Sequence, residues 1–143
     1  TAAKAALAAG YTNINEYKEG LPGWGKSGRP TEGKPMPSVQ APALTPAALK
    51  EAIASKSPPF LMDVRDPEEF ASFRIPGAVS IPLDDISARL KEVPPGRAIV
   101  LLDHAGHQVP IAARLLAQLG RSDVKRLDGG ILRWQADGMQ VSK

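Results

Sequence analysis

From Phe60 onward the chain alternates short apolar runs with stretches of helical periodicity. Phe60-Leu61-Met62 with Val64 reads as a strand, Pro67 to Phe73 as a helical turn, and Val79 to Ile81 as a second strand. Ile86 to Val93 is again helical in pattern, and Ile99 to Leu102 follows as a third strand. This alternation predicts an α/β fold with a mainly parallel sheet. Ile99-Val100-Leu101-Leu102 is apolar at every position, as a strand covered by helices on both faces must be, and is placed at the middle of the sheet. Gln108 to Leu119 puts Ile111, Leu115, Leu116 and Leu119 on one helical face, with Pro110 in the first turn and Gly120 just past the end. Val124 to Leu127 predicts a further strand. Asp128-Gly129-Gly130 then turns into a terminal helix that carries Trp134.

Upstream of Phe60 the pattern breaks. Between Gly20 and Pro46, 11 of 27 positions are Gly or Pro and no apolar periodicity survives, which marks a linker. Sliding the chain against itself by 110 residues explains what lies before it. Ala2, Ala3, Gly10, Gly20, Trp24 and Gly28 fall without a gap on Ala112, Ala113, Gly120, Gly130, Trp134 and Gly138. Lys4 meets Arg114, Asn13 meets Asp123, Ile14 meets Val124 and Leu21 meets Ile131. A match that keeps Trp and three glycines in register is an internal repeat. The expected organisation is therefore residues 1–35 as the helix-strand-helix end of an upstream copy, 36–44 as a linker, and 45–143 as a complete domain.

Composition narrows the chemistry. A chain of 143 residues, 43% apolar and 23% charged, has the size and balance of one soluble domain. Cysteine is absent, which removes disulfides, thiolate catalysis and Cys-ligated zinc. The formal charge of +3 is spread along the chain with few aromatics, so a nucleic-acid partner is not expected. No run approaches the length of a membrane span, and the Ala-rich start lacks the order of a secretory signal.

Leu61-Met62-Asp63-Val64-Arg65-Asp66-Pro67-Glu68-Glu69-Phe70, followed by Ile75-Pro76-Gly77-Ala78 and Ile81-Pro82, resembles the signature of rhodanese-like domains. Asp128-Gly129-Gly130-Ile131 with Trp134 and Gly138 resembles the closing motif of that family, as does Tyr17 to Gly28. The resemblance implies a five-stranded, mainly parallel sheet flanked by helices, and a family activity of sulfur transfer through a persulfide on a loop cysteine. In active relatives that loop reads Cys-x-x-Gly-x-Arg. Here it is Asp103-His104-Ala105-Gly106-His107-Gln108, with Gly106 setting the register, so Asp103 takes the cysteine position and Gln108 that of the arginine.

The loop follows the carboxyl end of a central strand and opens a helix, the place where backbone N–H groups gather and favour an anion. A carboxylate there cannot carry a transferable sulfur, and Gln108 lacks the charge of a guanidinium. The expectation is that the Asp103 carboxylate fills the nest itself and closes the loop to thiosulfate. Two sharper readings compete: a metal held by Asp103, His104 and His107, and an aspartyl-phosphate scheme on Asp103. The first lacks a fourth ligand and the second a cationic partner. Neither a metal nor a cofactor is expected.

Asp63, Arg65 and Glu69 are read as structural, with Arg65 paired to Glu69 or to Asp63 so as to tie strand to helix. Trp134 and Trp24 stand at the same point of each repeat and are read as core anchors. Arg74 is placed at the pocket mouth, Met62 and Met139 in the core, and Met36 in the linker. Expected partners are another rhodanese-like domain or a second copy of the chain, as a swapped or paired dimer, and a small anion, with no role for a membrane.

Overall fold

The computed structural model describes residues 2–30, 32, 39 and 41–143. They fall into two units, Thr1–Met36 and Pro37–Lys143. Of the linker expected at 36–44, positions 36–38, Met36 among them, and position 40 lie outside the described residues.

The second unit is built on five strands: β1 (Ala43–Leu44), β2 (Phe60–Asp63), β3 (Val79–Ser80), β4 (Ile99–Leu102) and β5 (Val124–Leu127). They are ordered β1-β5-β4-β2-β3, and every neighbouring pair is parallel. β4 is the central strand and all four of its residues are buried, because helices cover both of its faces. Side chains alternate across the sheet, so β2, β4 and β5 each feed two cores. Phe60, Met62, Ile99 and Leu101 pack on one side with Val109, Ala112, Ala113 and Leu116. Leu61, Val100, Leu102 and Leu127 pack on the other with Leu49, Ile131 and Trp134.

Helices supply those covers. The two helices of the first unit are α1 (Ala2–Ala8) and α2 (Gly20–Lys26). In the second unit α3 (Pro46–Ile53) opens on a Thr45 hydroxyl that accepts the Ala48 N–H at 3.2 Å, with Pro46 at the first helical position. α4 (Pro67–Ser72), α5 (Ile86–Arg89), α6 (Val109–Gln118) and α7 (Gly130–Ala136) follow. No described helix is long and apolar enough to cross a membrane.

Three sequence expectations change. Ala43 and Leu44, counted with the linker, form the edge strand β1 opposite Arg126 and Leu127, held by backbone bonds from Arg126 N to Pro42 O and Asp128 N to Leu44 O. α3 has no counterpart among the elements expected from the pattern and covers the second core through Leu49. The buried face of α6 is Val109, Ala112, Ala113 and Leu116, whereas Ile111 and Leu119 are 52% and 38% exposed. The two alanines let the helix lie close on β4, so the face with less bulk is the one turned inward.

The first unit repeats the geometry found 110 residues later. α2 spans the positions that match α7 residue for residue. Gly10, Gly20 and Gly28 have φ of 90°, 59° and 69°, against 83°, 62° and 71° at Gly120, Gly130 and Gly138. The Trp24 indole donates to the Pro30 carbonyl at 2.9 Å, as Trp134 does to Gln140 at 2.8 Å. Ile14 to Tyr17 stands where β5 stands in the second unit but forms no strand. Leu7, Tyr11 and Tyr17 are exposed.

Candidate functional site

β4 ends at Leu102, α6 begins at Val109, and the six residues between them make a tight loop with Gly106 at φ 97°. Asp103 is only 1% exposed. Its Oδ1 accepts the Gly106 N–H at 2.6 Å and its Oδ2 accepts the Gln108 N–H at 2.8 Å. Both carboxylate oxygens are therefore spent inside the loop, on amides that would otherwise face an anion.

The loop is also held from outside. The Asp103 carbonyl accepts the Ile131 N–H at 2.9 Å and the His104 carbonyl accepts the Leu132 N–H at 3.1 Å, so the opening turn of α7 clamps the loop backbone. Gly130 makes this approach feasible. A Cβ at that position would lie 2.5 Å from the His104 carbonyl oxygen and 2.6 Å from that of Asp103, and φ is 62°. His104 Nδ1 lies 3.2 Å from Glu69 Oε1 on α4, with both side chains partly exposed. The sequence carries one signal for these clamps, the doubled glycine after Asp128.

Ala105 and Gly106 are half-buried, His107 is exposed, and the Gln108 side-chain oxygen is buried without a hydrogen-bond partner among the described residues. A groove of about 890 Å³ runs along the outer side of the loop, past Ala105, Gly106, His107, Pro42 and Arg126. Asp103 does not line it. Asp103, His104 and His107 are not gathered on one point: Asp103 turns to its own amides and His104 to Glu69. Among the described residues no group of three or more His, Asp or Glu side chains is placed to hold a metal ion.

Asp63 and Arg65 are fully buried at the end of β2 and pair at 2.7 Å. Arg65 also donates through Nε to Asp63 at 2.9 Å and through Nη2 to the Phe73 carbonyl at 2.8 Å, and its guanidinium lies over the Phe73 ring. Of the two pairings open to Arg65, the one with Asp63 forms. Glu69 belongs to His104, across a space that the sequence does not reveal. Arg74 bridges to Ser142 and lies over the Phe70 ring. Trp134 is 4% exposed in the second core. Titrations displaced by a specific partner sit away from the loop: Arg121 holds the Asp123 carboxyl low, and Arg89 does the same to Glu92.

Comparison with known proteins gives a consistent family. A sulfurtransferase of Allochromatium vinosum is 32% identical over 94 residues, 66% of this chain and 88% of its own. The thiosulfate sulfurtransferase GlpE of Pseudomonas syringae is 34% identical over 105 residues, 73% of this chain and 90% of its own. A transcriptional regulator of Mycobacterium tuberculosis is 40% identical over 85 residues, and the match spans 37% of that protein's length. Among solved structures, the rhodanese-like domain of an Anabaena protein superposes with a TM-score of 0.64 at 27% identity, covering 72% of this chain and 80% of that one. The profile of the Rhodanese-like domain family matches residues 45–137. Five parallel strands in this order, the loop between β4 and α6 and these relatives together mean that the chain belongs to the rhodanese-like domain family.

Proposed function

We propose that residues 45–143 form a rhodanese-like module with no sulfurtransferase activity of its own, which serves a regulatory, structural or binding role beside a second copy in a tandem polypeptide. The observation that carries this reading is the buried Asp103 carboxylate, with both oxygens on loop amides. Sulfur transfer needs a thiolate that attacks the sulfane sulfur of thiosulfate, expels sulfite and keeps the sulfur as a persulfide until cyanide takes it as thiocyanate and the thiolate returns. Asp103 stands where the family pattern has that cysteine, and the whole chain has none. Gln108 replaces the guanidinium that would draw in an anionic donor. Residues 1–35 then close an upstream copy, and the joining stretch ends before β1.

A thiosulfate-to-cyanide assay on the 143-residue chain tests the proposal. It should give background turnover only, and thiocyanate formed at a rate proportional to enzyme would refute it. Asp103→Cys alone should not restore full activity, because Gln108 still lacks the charge. A second reading is supported by the repeat: a parent sulfurtransferase whose cysteine lies in the upstream copy. It predicts turnover in a polypeptide that includes that copy and none in the 143-residue chain.

A further inference from the structure

We infer that residues 2–30 are the closing wall of a second rhodanese-like fold, and that Gly20 is the seat on which the active-site loop of that fold rests. The inference deepens the tandem reading above and depends on it. The second unit displays the covered form of the same wall. Ala113, Leu116, Val124, Leu127 and Trp134 are each no more than 7% exposed there. Their counterparts Ala3, Ala6, Ile14 and Trp24 are only half-buried, and Tyr17 is 44% exposed. None of these carries a charge, so the wall fits an apolar sheet and excludes a polyanion.

The occupant can be specified from the same template. In the second unit β5 lies between β1 and β4. A segment covering residues 2–30 must therefore bring two parallel strands to flank Ile14–Tyr17. Gly130 leaves room for two loop carbonyls that a Cβ would strike. Gly20 keeps the same left-handed backbone at φ 59°, although the described residues of the first unit hold no such loop. Pro22, at the place of Leu132, has no N–H to give the second carbonyl, so this loop is held by one bond where Asp103–Gln108 is held by two.

A second copy of the chain is a poor occupant. Its own residues 112–140 already fill the position, with Leu116 and Leu127 where the first unit has Ala6 and Tyr17. The occupant is thus a counterpart of residues 41–108 upstream in the same polypeptide. It should carry extra bulk opposite Ala6 and a space for the Tyr17 ring.

The test compares the 143-residue chain with the natural polypeptide extended through that upstream segment, both labelled with 5-fluorotryptophan and read by acrylamide quenching and fluorine NMR. Trp24 should be open to quencher in the shorter chain and become as protected as Trp134 in the longer. Gly20→Ala in the longer chain should re-expose Trp24 severalfold. Gly28→Ala should not, since Gly28 has a similar φ of 69° but open space around it. Trp24 equally open in both unmutated chains, or Gly20→Ala no worse than Gly28→Ala, would overturn the inference. A natural upstream sequence without strands matching β1 to β4 would instead remove the tandem reading itself.

Discussion

Replacing Asp103 by Asn removes one carboxylate oxygen while keeping the side chain's shape. The remaining oxygen can still accept one amide, from Gly106 or from Gln108. The new NH2 then faces the other N–H, donor against donor. Each of the two native bonds, 2.6 and 2.8 Å long, joins a backbone amide to a charged acceptor at a site 1% exposed. Such bonds contribute about 1.5–3 kcal/mol each, and a buried amide left unpaired costs about 1–3 kcal/mol. Loss of one bond and the orphaning of its donor should therefore destabilise the second unit by about 3 kcal/mol. For a domain near 100 residues that corresponds to a Tm lower by about 12 to 24 °C. Urea melts followed by tryptophan fluorescence in a Trp24→Phe background would isolate the signal of Trp134, and an unchanged m-value would show that the native state is still compact. His107→Asn, at an exposed loop position, serves as the control. A loss under about 0.5 kcal/mol, the range of ordinary surface changes, would refute the claim that the Asp103 oxygens hold the loop.

Other perturbations probe the supports of the loop. Gly130→Ala drives a Cβ to within 2.5 and 2.6 Å of two backbone oxygens and strains a φ of 62°, so it should cost about 2–4 kcal/mol, whereas Gly96→Ala, at φ 71° in open space, should cost only the backbone term. Arg65→Met leaves the Asp63 carboxylate buried without its partner and should cost about 3–5 kcal/mol in denaturant melts, and Asp63→Leu added to it should recover part of the loss. Arg121, by hydrogen bonding, holds the Asp123 carboxyl below its ordinary value. A carboxyl lowered in the folded state lends stability above its unfolded pKa of about 3.9, and that stability fades as pH falls through the lower folded value. Asp123→Asn should therefore lower Tm at pH 7 and match the parent chain at the acid end of the series; the effect is small, because the pair is partly exposed.

How far the fold could be read in advance followed from where each signal lived. β4 and β5 were legible because four buried positions in a row, or a run bounded by turn residues, have a local pattern. β1 was not, since two residues in a proline-rich stretch become a strand only through their bonds to β5. The opening of α3 was written in Thr45 and Pro46 but lacked an apolar stripe strong enough to stand out beside the linker. The face of α6 was misjudged because bulk pointed to Ile111 and Leu119, whereas close packing on a central strand selects alanine. At the loop, the turn between Leu102 and Gln108 was legible from the strand-to-helix pattern, and Asp103 and Gly106 from the resemblance to the family's loop. The ties from α7 and from Glu69 were not, because they join segments 28 and 35 residues apart in sequence (103 to 131, 69 to 104) whose meeting depends on the whole sheet.

The most direct test of a loop occupied by its own carboxylate is a thiosulfate titration of the 15N-labelled chain, following the amide signals of Gly106 and Gln108. In the parent chain both should stay unmoved, and in Asp103→Gly, where the amides are released, both should shift with a saturable profile. Saturable shifts of both amides in the parent chain would contradict the account.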